Sequence, residues 1–132
     1  MVLPGIQALF GFQLVVVFER EFTEKLSSGQ QHLHLLAIAM VAVAVALIMT
    51  PAAYHRSAGA REVTQVFIRT STRLLLASMF PLAAGISIEF YLIASVLAGG
   101  ALAPLLATAL FAVFCGLWFV YPRLRRPRRL DR

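Results

Sequence analysis

Charge is scarce in this chain: Lys, Arg, Asp and Glu together make up 14% of its 132 residues, against about 25% in a typical soluble domain. Cysteine is nearly absent. The lone Cys115 cannot form an intramolecular disulfide, which excludes a disulfide-stapled scaffold. Acidic residues number six against twelve basic ones. No long polar or low-complexity stretch is present, so an intrinsically disordered chain is excluded as well. The opening Met-Val-Leu-Pro-Gly lacks a basic n-region and a small-residue cleavage site, and no cleaved signal peptide is expected.

What fills the space is apolar. Hydrophobic residues make up 60% of the chain and the mean hydropathy is +0.81, both displaced from the values of an ordinary cytosolic enzyme domain. That share suffices for four helices of about 20 apolar residues each. Four runs are visible. Residues 2–18 form the first, closed by Glu19-Arg20-Glu21, and residues 33–50 form the second, followed at once by Pro51. The third covers residues 74–98 and the fourth residues 101–121, with Gly99-Gly100 as the reversal between them and Pro122 as the stop. The Val-Ala alternation at positions 41–46 has strand periodicity, but 18 uncharged residues fit a helical span instead. Ser27-Ser28-Gly29 reads as a turn, and residues 54–59 read as a loop. Upstream of the third run, Val63, Val66, Phe67 and Thr70 share one face at helical spacing, so residues 61–73 read as an amphipathic extension of that helix. The expected fold is therefore all-α: one integral membrane domain over residues 1–132, a bundle of four transmembrane helices with the third extended into the cytoplasm.

Orientation follows from the basic residues. Arg56, Arg61, Arg69 and Arg73 lie between the second and third runs, and six arginines lie in the tail, residues 122–132. Only Arg20 and Lys25 lie between the first and second, and none between the third and fourth. Ten against two places the middle loop and tail in the cytoplasm, with both termini inside. The tail residues Arg123, Arg125, Arg126, Arg128 and Arg129 are expected to meet anionic headgroups, each worth roughly 1 kcal/mol near such a surface. No fold or aromatic signal accompanies them that would indicate nucleic acid.

Glu89 is the one carboxylate within an apolar run. It lies three positions past the midpoint of residues 74–98, or about 4–5 Å toward the outer side. A charge so placed costs roughly 2.5–3.5 kcal/mol unless paired or wetted. Gln13 lies at the same offset in the first run, so its amide is the expected partner. Pro81 and Gly85 precede Glu89 on nearly the same face, as a candidate hinge and a point of close helix approach. Ala42 with Ala46, and Ala112 with Gly116, have the small-residue spacing of helix contacts, within one chain or between copies.

His32 and His34, with Glu19, Glu21 and Glu24 nearby, have the chemistry of a divalent-cation site. However, His-x-His on a helix sets its rings about 200° apart, so a polar collar is expected rather than a metal centre. His34, Tyr54, His55 and Arg56 are read as interfacial anchors. No nucleophile with a base, phosphate loop or thiolate pair is present, so neither an enzyme nor a cofactor is expected. Two roles remain: a non-enzymatic accessory subunit, as a small homo-oligomer or within a larger membrane complex, and a small proton-coupled transporter or channel subunit that uses Glu89.

Three stretches carry a resemblance. They are Leu3-Pro4-Gly5-Ile6-Gln7-Ala8-Leu9-Phe10-Gly11-Phe12-Gln13, then His34 before the Ala/Val-rich run, then Ala52-Ala53-Tyr54-His55-Arg56 after Pro51. Together they resemble a bacterial family of small membrane proteins known as a domain of unknown function, number six-three-two-eight. The resemblance implies a four-helix integral membrane protein and no particular activity.

Overall fold

The computed structural model describes residues 2–57 and 65–124, and all regular structure among them is helical. α1 covers Val2–Val16, α2 Arg20–Lys25, α3 Ser28–Ser57, α4 Gln65–Leu97 and α5 Leu102–Cys115. A π-helical turn, Gly116–Val120, then leads into α6, Tyr121–Leu124. Three segments are long and apolar enough to cross a membrane: Ser28–Arg56, Gln65–Leu97 and Leu102–Leu124. The apolar helix Leu3–Val16 is shorter.

Several boundaries differ from the sequence reading. α1 stops at Val16 rather than residue 18, in a turn where Phe18 N–H bonds Val15 O at 3.0 Å and Glu19 N–H bonds Val16 O at 3.1 Å. Its 15 residues give about 22 Å of rise. The polar stretch after it is not all loop, because α2 forms around the buried Phe22 and a Lys25–Glu21 ion pair at 2.6 Å. Ser28-Gly29 is not a turn but the first turn of α3. Ser27 Oγ accepts from Gln30 N–H at 3.3 Å while Gln30 Oε1 accepts from Ser27 N–H at 2.9 Å. This reciprocal capping box starts the helix five residues earlier than hydropathy suggests.

Neither Pro51 nor Pro122 ends its helix. α3 runs through Pro51 to Ser57, so residues 54–57 are helical and not loop. An apolar helix tolerates an internal proline where the freed backbone groups find other partners. At Pro122 the π-helical turn shifts the register, with Tyr121 N–H on Gly116 O, and the proline falls in the first turn of α6, where a missing N–H costs least. The expected extension of the third helix is continuous from Gln65 onward, while Arg61 and Val63 lie outside the described residues. Its Val66 is 74% exposed and so is no core residue. Gly99 and Gly100, at φ 64° and 54°, make the reversal into α5, a conformation that side chains with Cβ rarely adopt.

The helices are antiparallel neighbours, because contacts pair early residues of one with late residues of the next. Gln30 meets Ser95, His34 meets Glu89, and Ala37 meets Gly85 along α3 and α4. This is the most extensive pair, followed by α4 with α5 and α1 with α3. Gly85 makes it close: a Cβ there would lie 3.0 Å from Val41 Cγ2 and 3.1 Å from Ala37 O. An apolar cluster of Ile6, Val41, Ala44 and Leu82 joins α1, α3 and α4, with Trp118 against it. Ala37, Ala44, Ala83, Gly85, Ala94 and Ala103 are among the buried small residues. Ala42, Ala46 and Ala112 instead face outward, and nothing lies within 4 Å of a Cβ built on Gly116.

Candidate functional site

Glu89 is held between two other helices. Gln13 Nε2 of α1 donates to Glu89 Oε1 at 2.9 Å, and His34 Nδ1 of α3 contacts the same oxygen at 2.8 Å. His34 Nε2 lies 3.0 Å from the backbone oxygen of Gln13, in the last turn of α1. Gln13 and His34 are buried, and the Glu89 side chain keeps 17% exposure. The cluster therefore joins α1, α3 and α4 at the end where α2 lies. The edge of the Phe22 ring, 5.0 Å between centroids, closes over the His34 imidazole.

Hydrogen-bond accounting assigns the protons. A backbone carbonyl can only accept, so His34 Nε2 must carry a hydrogen toward Gln13 O. If the ring held only that proton, Nδ1 would present a lone pair to a carboxylate oxygen at 2.8 Å. Two acceptors at that distance repel unless a proton lies between them. The contact thus requires either a protonated imidazole facing a carboxylate or a neutral imidazole accepting from a carboxylic acid. Both states have the same total charge, zero. The Gln13 amide donates to Glu89 in either state, while Gln13 Oε1 and Ser87 Oγ are buried without a partner.

A cleft of about 360 Å³ opens onto this cluster, with His34 and Glu89 in its wall. Val16, Phe22, Leu26, Leu92, Ile93 and Val96 supply most of its apolar surface. Glu19, Glu21 and Lys25 add charge at its α2 side. There the hydrogen bond and charge of Lys25 hold the Glu21 carboxyl below the usual carboxylate range, and Glu21 holds the Lys25 ammonium above the usual lysine range.

Other sequence candidates fall elsewhere. His34 is not an interfacial anchor; it turns inward because α3 starts at Ser28 and carries it about two helical turns along before it meets Glu89. His32 is exposed, its Nδ1 2.7 Å from Ser28 O, so the two histidines do diverge. No three His, Cys, Asp or Glu side chains gather as metal ligands among the described residues. Tyr54 is exposed and stacks on Phe67 at 6.1 Å, with His55 at 5.7 Å from the same ring. Arg56 and Arg123 are exposed, and Arg125, Arg126, Arg128 and Arg129 lie outside the described residues. Pro81 is buried within the uninterrupted α4, four residues before the tight contact at Gly85. A further link escapes the sequence reading: Gln30 Nε2 donates to Ser95 Oγ at 2.9 Å. The Ser27-x-x-Gln30 capping pattern is the signal that would have found it, together with the inward position of His34.

The family of unknown function DUF6328 matches residues 1–122, and the chain belongs to that family. No curated protein and no solved structure matches.

Proposed function

We propose that this protein is a non-enzymatic, multi-pass protein of a bacterial cytoplasmic membrane that binds a proton between Glu89 and His34. The observation that carries the reading is the 2.8 Å contact between His34 Nδ1 and Glu89 Oε1 while His34 Nε2 is committed to a carbonyl. Intramembrane carboxylate and imidazole groups are characteristic of proton relays. The cleft supports the reading too, since it gives the pair a route to one side. Lys and Arg distribution supports both termini being cytoplasmic, which would put α2 and the cleft outside. On this reading α1, at about 22 Å, is short for a hydrocarbon layer of about 30 Å, and α2 lies along the interface at its end. The arginine tail would then sit on anionic headgroups.

The test is proton release from the purified protein in lipid nanodiscs after an alkaline pH jump, read with an indicator dye. Wild type is expected to release a proton that Glu89→Gln does not. Equal release from both would overturn the reading.

A second role has its own support, the extensive surface of α5. The apolar window of the Leu102–Leu124 segment, which continues α5, is only 6% buried within the chain, as for an accessory or self-associating subunit that meets lipid or another helix there. Altered assembly of Glu89→Gln without any change in proton release would favour that packing role.

A further inference from the structure

The proton pair stands at the inner limit of an apolar cleft whose titratable groups are predominantly acidic. From the α1–α2 segment Glu19, Glu21 and Lys25 face it, from α3 His34, and from α4 Glu89. Lys25 is engaged by Glu21. With the Glu89–His34 pair neutral as a unit, Glu19 leaves the cleft with net negative charge. Its volume of about 360 Å³ lies in the range of small-molecule sites, which are mostly apolar with a few placed polar groups. The acceptors at the pair are also in excess. Remove the held proton and His34 Nδ1 needs a donor, Glu89 Oε1 keeps only the Gln13 amide, and Gln13 Oε1 is a further buried acceptor with none.

We infer that this cleft binds a lipophilic primary or secondary amine in its protonated form, which replaces the proton held between Glu89 and His34. The inference rests on the proton-binding reading above. An ammonium group carries several N–H donors on one positive centre. The two acceptors part from their 2.8 Å contact, and one N–H serves Glu89 as a charge-assisted bond while another serves His34 Nδ1, which no single apolar or anionic ligand can do. The exchange balances: one cation enters, one proton leaves to solvent, and no covalent bond changes. The site keeps the same total charge, because a carboxylate and a neutral imidazole with an ammonium replace a carboxylate and an imidazolium. The organic part of the amine lies against Leu92, Ile93 and Val96. A quaternary ammonium has the charge but no N–H, so it leaves Nδ1 unsatisfied and is discriminated against.

The experiment is titration of the full chain in phosphatidylcholine nanodiscs with 2-phenylethylamine and with its trimethylammonium counterpart, recording heat and released protons. Wild type is expected to bind the primary amine with release of a proton and to bind the quaternary compound about tenfold more weakly or worse. Glu89→Gln is expected to abolish amine binding. Ile93→Trp, which fills the cleft without altering the pair, is expected to weaken it about tenfold. Circular dichroism and monodispersity establish that each variant is folded. The inference is overturned if wild type releases its proton on the alkaline jump yet binds no amine at millimolar concentration. Equal binding by the quaternary compound, by Glu89→Gln or by Ile93→Trp overturns it too. If the alkaline jump releases no Glu89-dependent proton, the underlying reading falls and takes the inference with it. Competition by added phosphatidylethanolamine would assign the site to a lipid headgroup amine and overturn its assignment to a free one.

Discussion

The two ends of the helical assembly are held by different means. At the α2 end, Gln13, His34 and Glu89 join α1, α3 and α4 through short directional contacts, and Gln30 and Ser95 repeat the pattern nearby. Farther along the helices, from mid-height toward the other end, Ile6, Val41, Ala44 and Leu82 meet through apolar contact, with Trp118 against them. In water the apolar end would dominate stability, because burial drives folding there. In lipid that advantage falls away, since acyl chains are as apolar as leucine, and packing and hydrogen bonds decide helix association. On the proposed membrane reading, register and rotation of the helices are set mainly at the polar end. The apolar end follows, provided that its surfaces fit.

Substitutions can break this comparison, beginning with the largest effect. Glu89→Ala leaves His34 and Gln13 buried with lost partners, and is expected to destabilise the protein by about 3 kcal/mol. Unfolding of purified protein in mixed micelles measures this; a loss comparable to that at the apolar end would remove the distinction. Gly85→Leu forces α3 and α4 apart where a Cβ would already lie 3.0 Å from Val41. About 2 kcal/mol is expected in the same assay, from overpacking. The cost should appear together with a changed His34 environment by NMR, because the two sites are neighbours on the same helix pair. Leu82→Ala at the apolar end is expected to cost about 1–2 kcal/mol in packing alone, below the usual cost of such a truncation in water. A larger loss would mean that water-like burial still governs this end.

The smallest effect concerns α2. Glu21 is held below its usual carboxylate range by the hydrogen bond and charge of Lys25, and the ion pair is surface-exposed. Its contribution is present above the ordinary carboxylate range and is lost as pH falls through the lowered value. Lys25 titrates in the other direction: its contribution is present below the ordinary lysine range and is lost as pH rises through the raised value. α2 should therefore fray slightly at both extremes of pH, and Lys25→Ala should remove both changes. Amide exchange across Arg20–Lys25 measures this, and equal exchange in variant and wild type would show that buried Phe22 alone holds the helix.

Much of the architecture was legible because it depends on position along the chain. Apolar runs identify helices long enough to cross a bilayer, and Gly99-Gly100 marks the last reversal. The proline stops at Pro51 and Pro122 misled for a physical reason: a missing N–H ends a helix where water competes for the freed groups, and less readily in an apolar setting. The start of α3 was hidden by polar residues around Ser27-Ser28-Gly29, whose hydropathy argues for a loop while their hydrogen-bonding chemistry makes a cap. That misreading is what moved His34 from the interior to the interface.

By itself the sequence determined the levels of Glu89 and Gln13 along their helices, because a helix rises 1.5 Å per residue whatever it packs against. Glu89 and Gln13 could therefore be matched by level before any contact was known. Which way each helix is turned is a different quantity. It depends on the neighbours that fill the space around it, on Gly85 letting α3 approach α4 and on Phe22 closing over the imidazole. Only the tertiary structure could therefore turn His34 inward, set its Nε2 on the Gln13 carbonyl and leave its Nδ1 facing Glu89.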